Sequence, residues 1–81
     1  MKLKGLVYRS FAQRHILRME AGYTVVDVVD GELQAHDTVT GCLEDHGQVF
    51  LINHRSEETV EVDVLAFHAT LESALALLRS S

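Results

Sequence analysis

The residues best suited to chemistry lie in the first quarter of the chain, where basic and aromatic side chains are interleaved before any acidic residue appears. The cations are Lys2, Lys4, Arg9, Arg14 and Arg18, and the aromatic residues among them are Tyr8 and Phe11. Small β-barrels bind single strands with this combination, because cations follow the phosphates while aromatic rings stack on the bases. One prediction is therefore a weak site for single-stranded nucleic acid. Its residues would be Tyr8, Arg9, Phe11, Arg14 and Arg18.

The chain as a whole has the opposite charge. It has 7 Lys and Arg against 12 Asp and Glu, which gives a formal net charge of -5 at pH 7. Residues 20–81 hold all 12 acids, against the two cations Arg55 and Arg79. Because a negative protein repels a polyanion at long range, the competing interpretation is that the basic quarter pairs with these acids, within one chain or between two.

The histidines and the single cysteine could in principle bind a metal. They are His15, His36, His46, His54, His68 and Cys42. A zinc site needs three or four closely spaced ligands, and the best group here is Cys42, His46 and His54, which a predicted turn separates. We therefore expect no metal and no cofactor. His15 is expected opposite Asp27, where charge pairing would raise the pKa of its imidazole.

Nothing in the chain is typical of a catalytic nucleophile. Cys42 falls within a predicted strand rather than at a sharp turn beside a base, and strand cysteines usually pack as small apolar residues. Neighbouring carboxylates such as Glu44 and Asp45 fall in turns, where solvation explains them. A barrel of 81 residues also has little room for a substrate-sized cavity of about 300 Å³. We expect no catalytic residues and a protein that is not an enzyme.

Composition indicates one globular domain spanning residues 1–81. Hydrophobic residues make up 47% of the chain, which excludes a disordered acidic segment, and 81 residues are too few for two cores. No apolar run approaches the roughly 18 to 20 residues of a membrane span, so no membrane partner is expected. The lone cysteine excludes an intramolecular disulfide and the chain opens without an apolar signal segment, so the predicted compartment is the cytoplasm.

Short β-branched or alternating runs, separated by Gly, Asp and Asn at intervals of about eight to twelve residues, predict six strands and one helix. The predicted strands cover residues 2–8, 14–19, 23–29, 38–44 and 48–53, followed by an alternating run at Val60, Val62, Val64 and Ala66. Thr70 is the predicted N-cap of a helix whose apolar stripe is Leu71, Ala74, Leu75 and Leu78. The predicted fold is a small, partly open antiparallel barrel of five or six strands, OB-like or SH3-like, with a C-terminal α-helix.

The second and third predicted strands are apolar on both faces, so one face needs cover from outside the barrel. A three-residue turn at 20–22 would place Ile16 opposite Val26, with Val28 on the same side. Either the C-terminal helix or a partner chain would cover this side. The sequence therefore predicts a non-enzymatic interaction module that binds a protein partner or a second copy of itself, with Ile16, Val26 and Val28 as its interface.

The stretch 36–63 also carries turn and core residues at characteristic spacings. They are Asp37, Val39, Gly41, Leu43, Glu44, Gly47, Leu51, Asn53, Glu58 and Val62. The stretch resembles a small family of uncharacterised bacterial β-barrel proteins, which share a D-x-V-x-G-x-L run, a glycine turn and an L-x-N strand end. Where that family has a double glycine in the hairpin, this chain has Gly47 followed by Gln48. The resemblance implies a small bacterial β-barrel and brings no activity with it.

Overall fold

Six antiparallel strands and one helix make up most of residues 2–80, which are the residues that the computed structural model describes. The strands are β1 (Leu3–Phe11), β2 (Arg14–Met19), β3 (Gly22–Asp30), β4 (Thr38–Gly41), β5 (Gly47–Asn53) and β6 (Glu58–Ala69), and the helix is α1 (Leu71–Arg79). Around the barrel the strands follow the order β1-β2-β3-β6-β5-β4, and β4 returns to pair with β1. The predicted small antiparallel barrel with a C-terminal helix is confirmed.

The barrel is closed rather than partly open, because β4 pairs along the first half of β1. Two glycines near this seam allow the walls to approach one another. A Cβ at Gly5 would come 2.5 Å from the sulfur of Met19, and a Cβ at Gly41 would overlap Leu51. A Cβ at Gly41 would also lie 2.9 Å from the Phe50 carbonyl oxygen, so a larger side chain there would push β4 and β5 apart, whereas at Gly5 the flexible Met19 side chain can move aside.

Inward-facing side chains from every strand fill the barrel. The interior cluster consists of Val7, Leu17, Val26, Leu33, Val39, Leu43, Leu51, Val60, Val62 and Val64. Six of these ten are valines, and branched side chains of this size suit the narrow interior of a small barrel. The interior is therefore a packed apolar core rather than a channel.

The predicted alternation along β6 is confirmed for its three valines and wrong for Ala66. Val64 lies opposite Val26, whereas Ala66 lies opposite Val25, so Leu65 is an extra residue in the strand. Such a bulge reverses which side chains point inward beyond it. Leu65 and Ala66 consequently both pack in the cluster beneath α1.

The turn between β2 and β3 contains two unpaired residues rather than the predicted three. Met19 lies directly opposite Gly22, which leaves Glu20 and Ala21 as the loop. Gly22 has a φ of 122°, a left-handed conformation that a glycine adopts without strain. Every cross-strand pair in this hairpin is therefore displaced by one residue from the predicted register.

This displacement changes the neighbours of both predicted key residues of β2. His15 lies opposite Val26 rather than Asp27, and Ile16 lies opposite Val25 rather than Val26. Because side chains alternate across a strand, Ile16 and Val25 point out of the barrel while Val26 points in. The predicted outer surface that joined Ile16 to Val26 is therefore wrong.

Helix α1 covers the outward face of β2 and β3. Thr70 caps its first turn by accepting a hydrogen bond from a backbone N–H, as predicted. Ala74 and Leu78 are buried against Ile16 and Val25 in a second apolar cluster. Of the two predicted covers for this face, a helix or a partner chain, the structure has the helix.

Arg14 fastens the end of α1 to the barrel. Its Nε and Nη2 donate to the carboxylate of Asp27 at 2.7 and 3.1 Å, and its Nη1 donates to the carbonyl oxygens of Leu77 at 2.7 Å and Ser80 at 2.6 Å. The carbonyls that end a helix carry partial negative charge, which a cation stabilises. The hydrogen bond to Asp27 raises the pKa of Arg14 above its ordinary value and keeps it charged.

We expect Arg14→Ala to lower the free energy of unfolding by about 2 kcal/mol, because charged hydrogen bonds and a helix-terminal cation are lost together. Urea unfolding measures this loss, and amide hydrogen exchange should accelerate more in α1 than in the barrel. Arg18→Ala is the matched control, since Arg18 is an exposed cation of the same strand, and it should leave both measurements unchanged. Equal effects of the two substitutions would contradict the anchoring role of Arg14.

Candidate functional site

Three of the five predicted nucleic-acid residues form an exposed stretch at the end of β1, here called the basic-aromatic stretch: Tyr8, Arg9 and Phe11. The side chains of Phe11 and Tyr8 are 64% and 36% exposed, and the Arg9 guanidinium lies 5.8 Å from the centre of the Tyr8 ring. Tyr8 also packs on Tyr23 of β3, with ring centres 5.9 Å apart. The bulge between Val7 and Arg9 allows β1 to continue to Phe11, beyond its predicted end.

The other two predicted nucleic-acid residues lie elsewhere. The guanidinium of Arg14 is held by Asp27 and by the end of α1. Arg18 is exposed and lies opposite Leu6 on one side and Tyr23 on the other. Within residues 2–80, Arg14 is the one N-terminal cation with a carboxylate in ion-pair range. The predicted pairing of the basic quarter with acids of its own chain therefore applies to Arg14 alone.

The three residues of the predicted protein interface are separated in the fold. Ile16 is fully buried beneath α1, and Val26 is fully buried inside the barrel. Val28 is partly buried and packs against the barrel core. In the folded chain neither Ile16 nor Val26 offers surface to a partner.

A different apolar surface is exposed, and the sequence analysis missed it. Phe50 and Ile52 point outward from β5 and are 63% and 47% exposed. Ile52 lies opposite Thr40 of β4 and Thr59 of β6, and Phe50 lies opposite Glu61 of β6. We call this surface, made of Phe50, Ile52, Thr40 and Thr59, the β5 face. Helix α1 contacts β1, β2, β3 and β6 but neither β4 nor β5, so nothing in the described chain covers it.

The signal for the β5 face was present in the sequence. Along β5, Phe50 and Ile52 alternate with Val49 and Leu51, so both sides of this strand are apolar. Val49 and Leu51 pack into the barrel core, which leaves the other pair outside. A strand that is apolar on both sides predicts cover on both sides, and one short helix cannot cover two separate faces.

A buried polar network lies at the end of the barrel where β5 ends. The Asp37 carboxylate accepts hydrogen bonds from the Gln34 backbone at 2.8 Å, from Asn53 Nδ2 at 2.9 Å and from Arg55 Nε at 2.7 Å. The hydrogen bond from Arg55 is the main reason that the pKa of Asp37 lies below its ordinary value. Within residues 2–80, no buried side-chain nitrogen or oxygen lacks a partner, so the polar atoms of this network satisfy one another and hold the loops at this end of the barrel together.

His15 is a buried titratable group beside this network. Its Nδ1 lies 2.6 Å from Ser10 Oγ, which is the spacing of a serine and a base. No carboxylate of residues 2–80 lies within ion-pair range of the ring to orient it. Burial lowers the pKa of His15, although the charges of Asp27 and Asp37 act in the opposite direction. The predicted rise in the pKa of His15 is therefore wrong.

The burial of His15 makes stability depend on pH. In an unfolded chain the imidazole titrates near pH 6.5, and in the folded chain it takes up a proton only at lower pH. Between these two values the unfolded chain binds more protons, so acidification favours unfolding.

We expect the free energy of unfolding to fall as the pH is lowered from about 7 to about 5, by up to about 1.4 kcal/mol per pH unit from His15. Urea unfolding across this range measures the slope. The slope should be smaller in His15→Gln, which does not titrate, and NMR should place the pKa of His15 below 6.5. Equal slopes for the two proteins would contradict this role of His15.

Open clefts lie at both ends of the barrel. One of about 460 Å³ is lined by residues that include Lys4, Thr24 and His68, and one of about 340 Å³ is lined by residues that include Arg55 and Glu58. The sequence analysis expected little room for a substrate-sized cavity of about 300 Å³, and the volumes of these two open clefts exceed that figure. No three His, Cys, Asp or Glu side chains in residues 2–80 are grouped as metal ligands.

Comparison with known proteins identifies no relative. The chain matches no protein-family model, and no curated protein and no solved structure is significantly similar to it. The resemblance of 36–63 to a bacterial family therefore stays a prediction. The part of the chain that the structure describes contains no helix with the length and apolarity of a membrane span.

Proposed function

We propose that this chain is a non-enzymatic interaction module that binds a protein through the β5 face. The observation that carries the proposal is the exposure of Phe50 and Ile52 side by side on a strand that α1 does not reach. Thr40 and Thr59 flank Ile52, and Glu61 flanks Phe50, which gives an apolar centre with a polar rim. Protein interfaces commonly have this arrangement, with an aromatic anchor inside a ring of polar contacts.

The energetics favour a partner for this face. Fully burying a Phe or Ile side chain contributes roughly 1.5 to 3 kcal/mol, and both side chains here keep about half or more of that surface in water. Strands also present side chains on a stiff backbone, so little conformational entropy is lost on binding. A partner that covers both residues gains most of this free energy.

A photo-crosslinking amino acid at position 50 tests the proposal in the cell that encodes the protein. We expect position 50 to give discrete protein adducts, because this residue would lie at the centre of the contact. Position 11 is the matched control, since Phe11 is equally exposed but lies at the far end of β1. Adducts of equal yield at both positions, or none at position 50, would contradict a protein-binding role for the β5 face.

A second candidate function is weak binding of single-stranded nucleic acid. It is favoured by the basic-aromatic stretch, where Arg9 stacks over Tyr8 beside an exposed Phe11. Arg18 and Lys4 are also exposed, and neither forms an ion pair within residues 2–80. Proteins that bind single strands use unpaired cations to contact the phosphates and aromatic rings to stack on the bases. The predicted OB-like or SH3-like class would be consistent with this second function. The cytoplasm stays the predicted compartment for either function.

Titration with a short single-stranded oligonucleotide tests the second candidate. We expect amide shifts at residues 8–11 that weaken as salt is added, because counterion release drives such binding. Arg9→Ala should reduce these shifts, whereas Arg14→Lys should leave them in place, since Arg14 is occupied by Asp27. An absence of shifts at low salt with millimolar oligonucleotide would exclude nucleic acid.

A further inference from the structure

We propose that Ser10 is a site of covalent acylation, and that His15 is the base that activates its hydroxyl. The acyl donor is a neutral activated ester or thioester with a short apolar acyl group. This modification goes beyond the proposed function, because it uses residues of β1 and β2 and none of the β5 face.

The register of the first hairpin brings the serine and the histidine together. Ser10 lies directly opposite His15 across β1 and β2, and Ser10 Oγ is 2.6 Å from Nδ1 of the ring. At this distance a hydroxyl can pass its proton to the ring while its oxygen attacks an electrophile. The sequence analysis ended the first strand at residue 8, which left Ser10 outside the strand and hid this pair.

The two partners differ in burial. His15 is only 5% exposed, whereas Ser10 is an exposed residue. Burial lowers the pKa of the imidazole, although the charges of Asp27 and Asp37 act in the opposite direction. The ring is therefore neutral at pH 7 and able to accept a proton, while the hydroxyl is accessible to a donor from solvent.

The surroundings of the ring favour the tautomer that this chemistry needs. Within residues 2–80, the His15 ring has one hydrogen-bond partner, which is Ser10. No buried side-chain nitrogen of these residues lacks a partner, so Nε2 of the ring is open to solvent. With its proton on Nε2, in contact with water, the neutral ring accepts the proton of Ser10 at Nδ1.

An open cleft of about 290 Å³ begins at His15 and has room for a short acyl chain. Ser10 Oγ lies beside this cleft, because it is 2.6 Å from the ring. Val28 and Leu33 give the lining an apolar part, whereas the carboxylate of Glu32 at the same cleft would repel an anionic donor. The cleft therefore favours a donor that is neutral and carries a short apolar acyl group.

The turn that follows Ser10 supplies hydrogen-bond donors. Ala12 and Gln13 both line the cleft, and within residues 2–80 their N–H groups donate to no backbone oxygen. Ala12 has a φ of 55°, a left-handed conformation that alanine seldom adopts and that is concentrated at functional sites. These N–H groups are available to the oxyanion that forms when the serine oxygen attacks a carbonyl carbon.

In the acyl transfer, the oxygen of Ser10 forms a bond to the carbonyl carbon of the donor. The bond from that carbon to the leaving alcohol or thiol breaks, and its electron pair goes to the departing oxygen or sulfur. The proton of Ser10 moves to Nδ1 of His15 and from there to the leaving group, so the ring ends neutral. The product is one serine ester per chain, which requires no turnover.

Mass spectrometry of the unmodified chain treated with p-nitrophenyl acetate tests the proposal. We expect Ser10 to be acetylated about 100-fold faster than Ser73, because a positioned base contributes roughly 10² to 10⁴ in rate. Ser73 is the internal control, since it is exposed and its hydroxyl bonds to Thr70 rather than to a base. The comparison is made within one folded chain, so no folding defect can affect it. Hydroxylamine distinguishes the serine ester from lysine amides, because it cleaves only the ester.

His15→Gln separates the base from the hydroxyl. This variant should slow acetylation of Ser10 about 100-fold and leave Ser73 unchanged, with circular dichroism showing that the barrel is folded. In the unmodified chain, the acetylation rate of Ser10 should rise with pH up to the pKa that NMR gives for His15 and be level above it. A hydroxyl that reacts without a base would continue to react faster as the pH rises.

Donors of different length test the cleft. p-Nitrophenyl butyrate should acylate Ser10 at least as fast as the acetate, and the decanoate should be slower, because about 290 Å³ holds only a short chain. A decanoate that reacts as fast as the butyrate would contradict the donor class.

Three results would overturn the proposal: acetylation of Ser10 no faster than of Ser73, a rate that His15→Gln does not change, or a rate that keeps rising above the pKa of His15. None of them bears on the β5 face, so the proposed function and this proposal fail separately.

Discussion

The register of the β2–β3 hairpin is the constraint on which the rest of the structure depends. Because its turn leaves two residues unpaired, Arg14 lies opposite Asp27, and Ile16 with Val25 forms the outward apolar pair. A shift by one residue would change every cross-strand pair and separate Arg14 from Asp27. In the observed register, Arg14 bridges the carboxylate of β3 and the last carbonyls of α1. The position of the helix follows from that bridge and from the apolar pair beneath it.

Placing α1 on β2 and β3 decides which apolar residues stay exposed. A helix of nine residues is too short to be stable alone and covers only part of a six-stranded barrel. The outward side chains of β5 lie beyond its reach, although they are as apolar as those it covers. The exposure of the β5 face is therefore a consequence of the hairpin register. The candidate binding surface lies on the outer wall of the barrel and not in a cavity.

Much of the fold could be predicted from the sequence, because its signals are local. Alternating residues define the strands, and Thr70 marks the start of α1. The register could not be predicted, because a turn at 20–22 that ends in glycine accommodates two or three unpaired residues. The predicted interface failed for the same reason, since the direction in which Val26 points depends on that register.

The candidate site was harder to predict than the fold. Strand order determines which cations lie beside an acid and form an ion pair. The spacing of apolar runs in the sequence does not reveal strand order. In the fold Arg14 is paired with Asp27, while Lys4 on β1 and Arg18 on β2 have no acid of residues 2–80 in ion-pair range. The net negative charge of the whole chain does not reveal these exposed cations, because a sum over the sequence does not show where on the surface each charge lies.

The central claim is that the β5 face is the surface through which this chain binds a protein. A photo-crosslinking amino acid at position 52 tests this most directly, with position 29 as the control, because Ile52 and Val29 are both exposed but Val29 lies on β3. The account predicts discrete protein adducts from position 52 and none above background from position 29. Equal yields at the two positions, or no adduct from position 52, would contradict it.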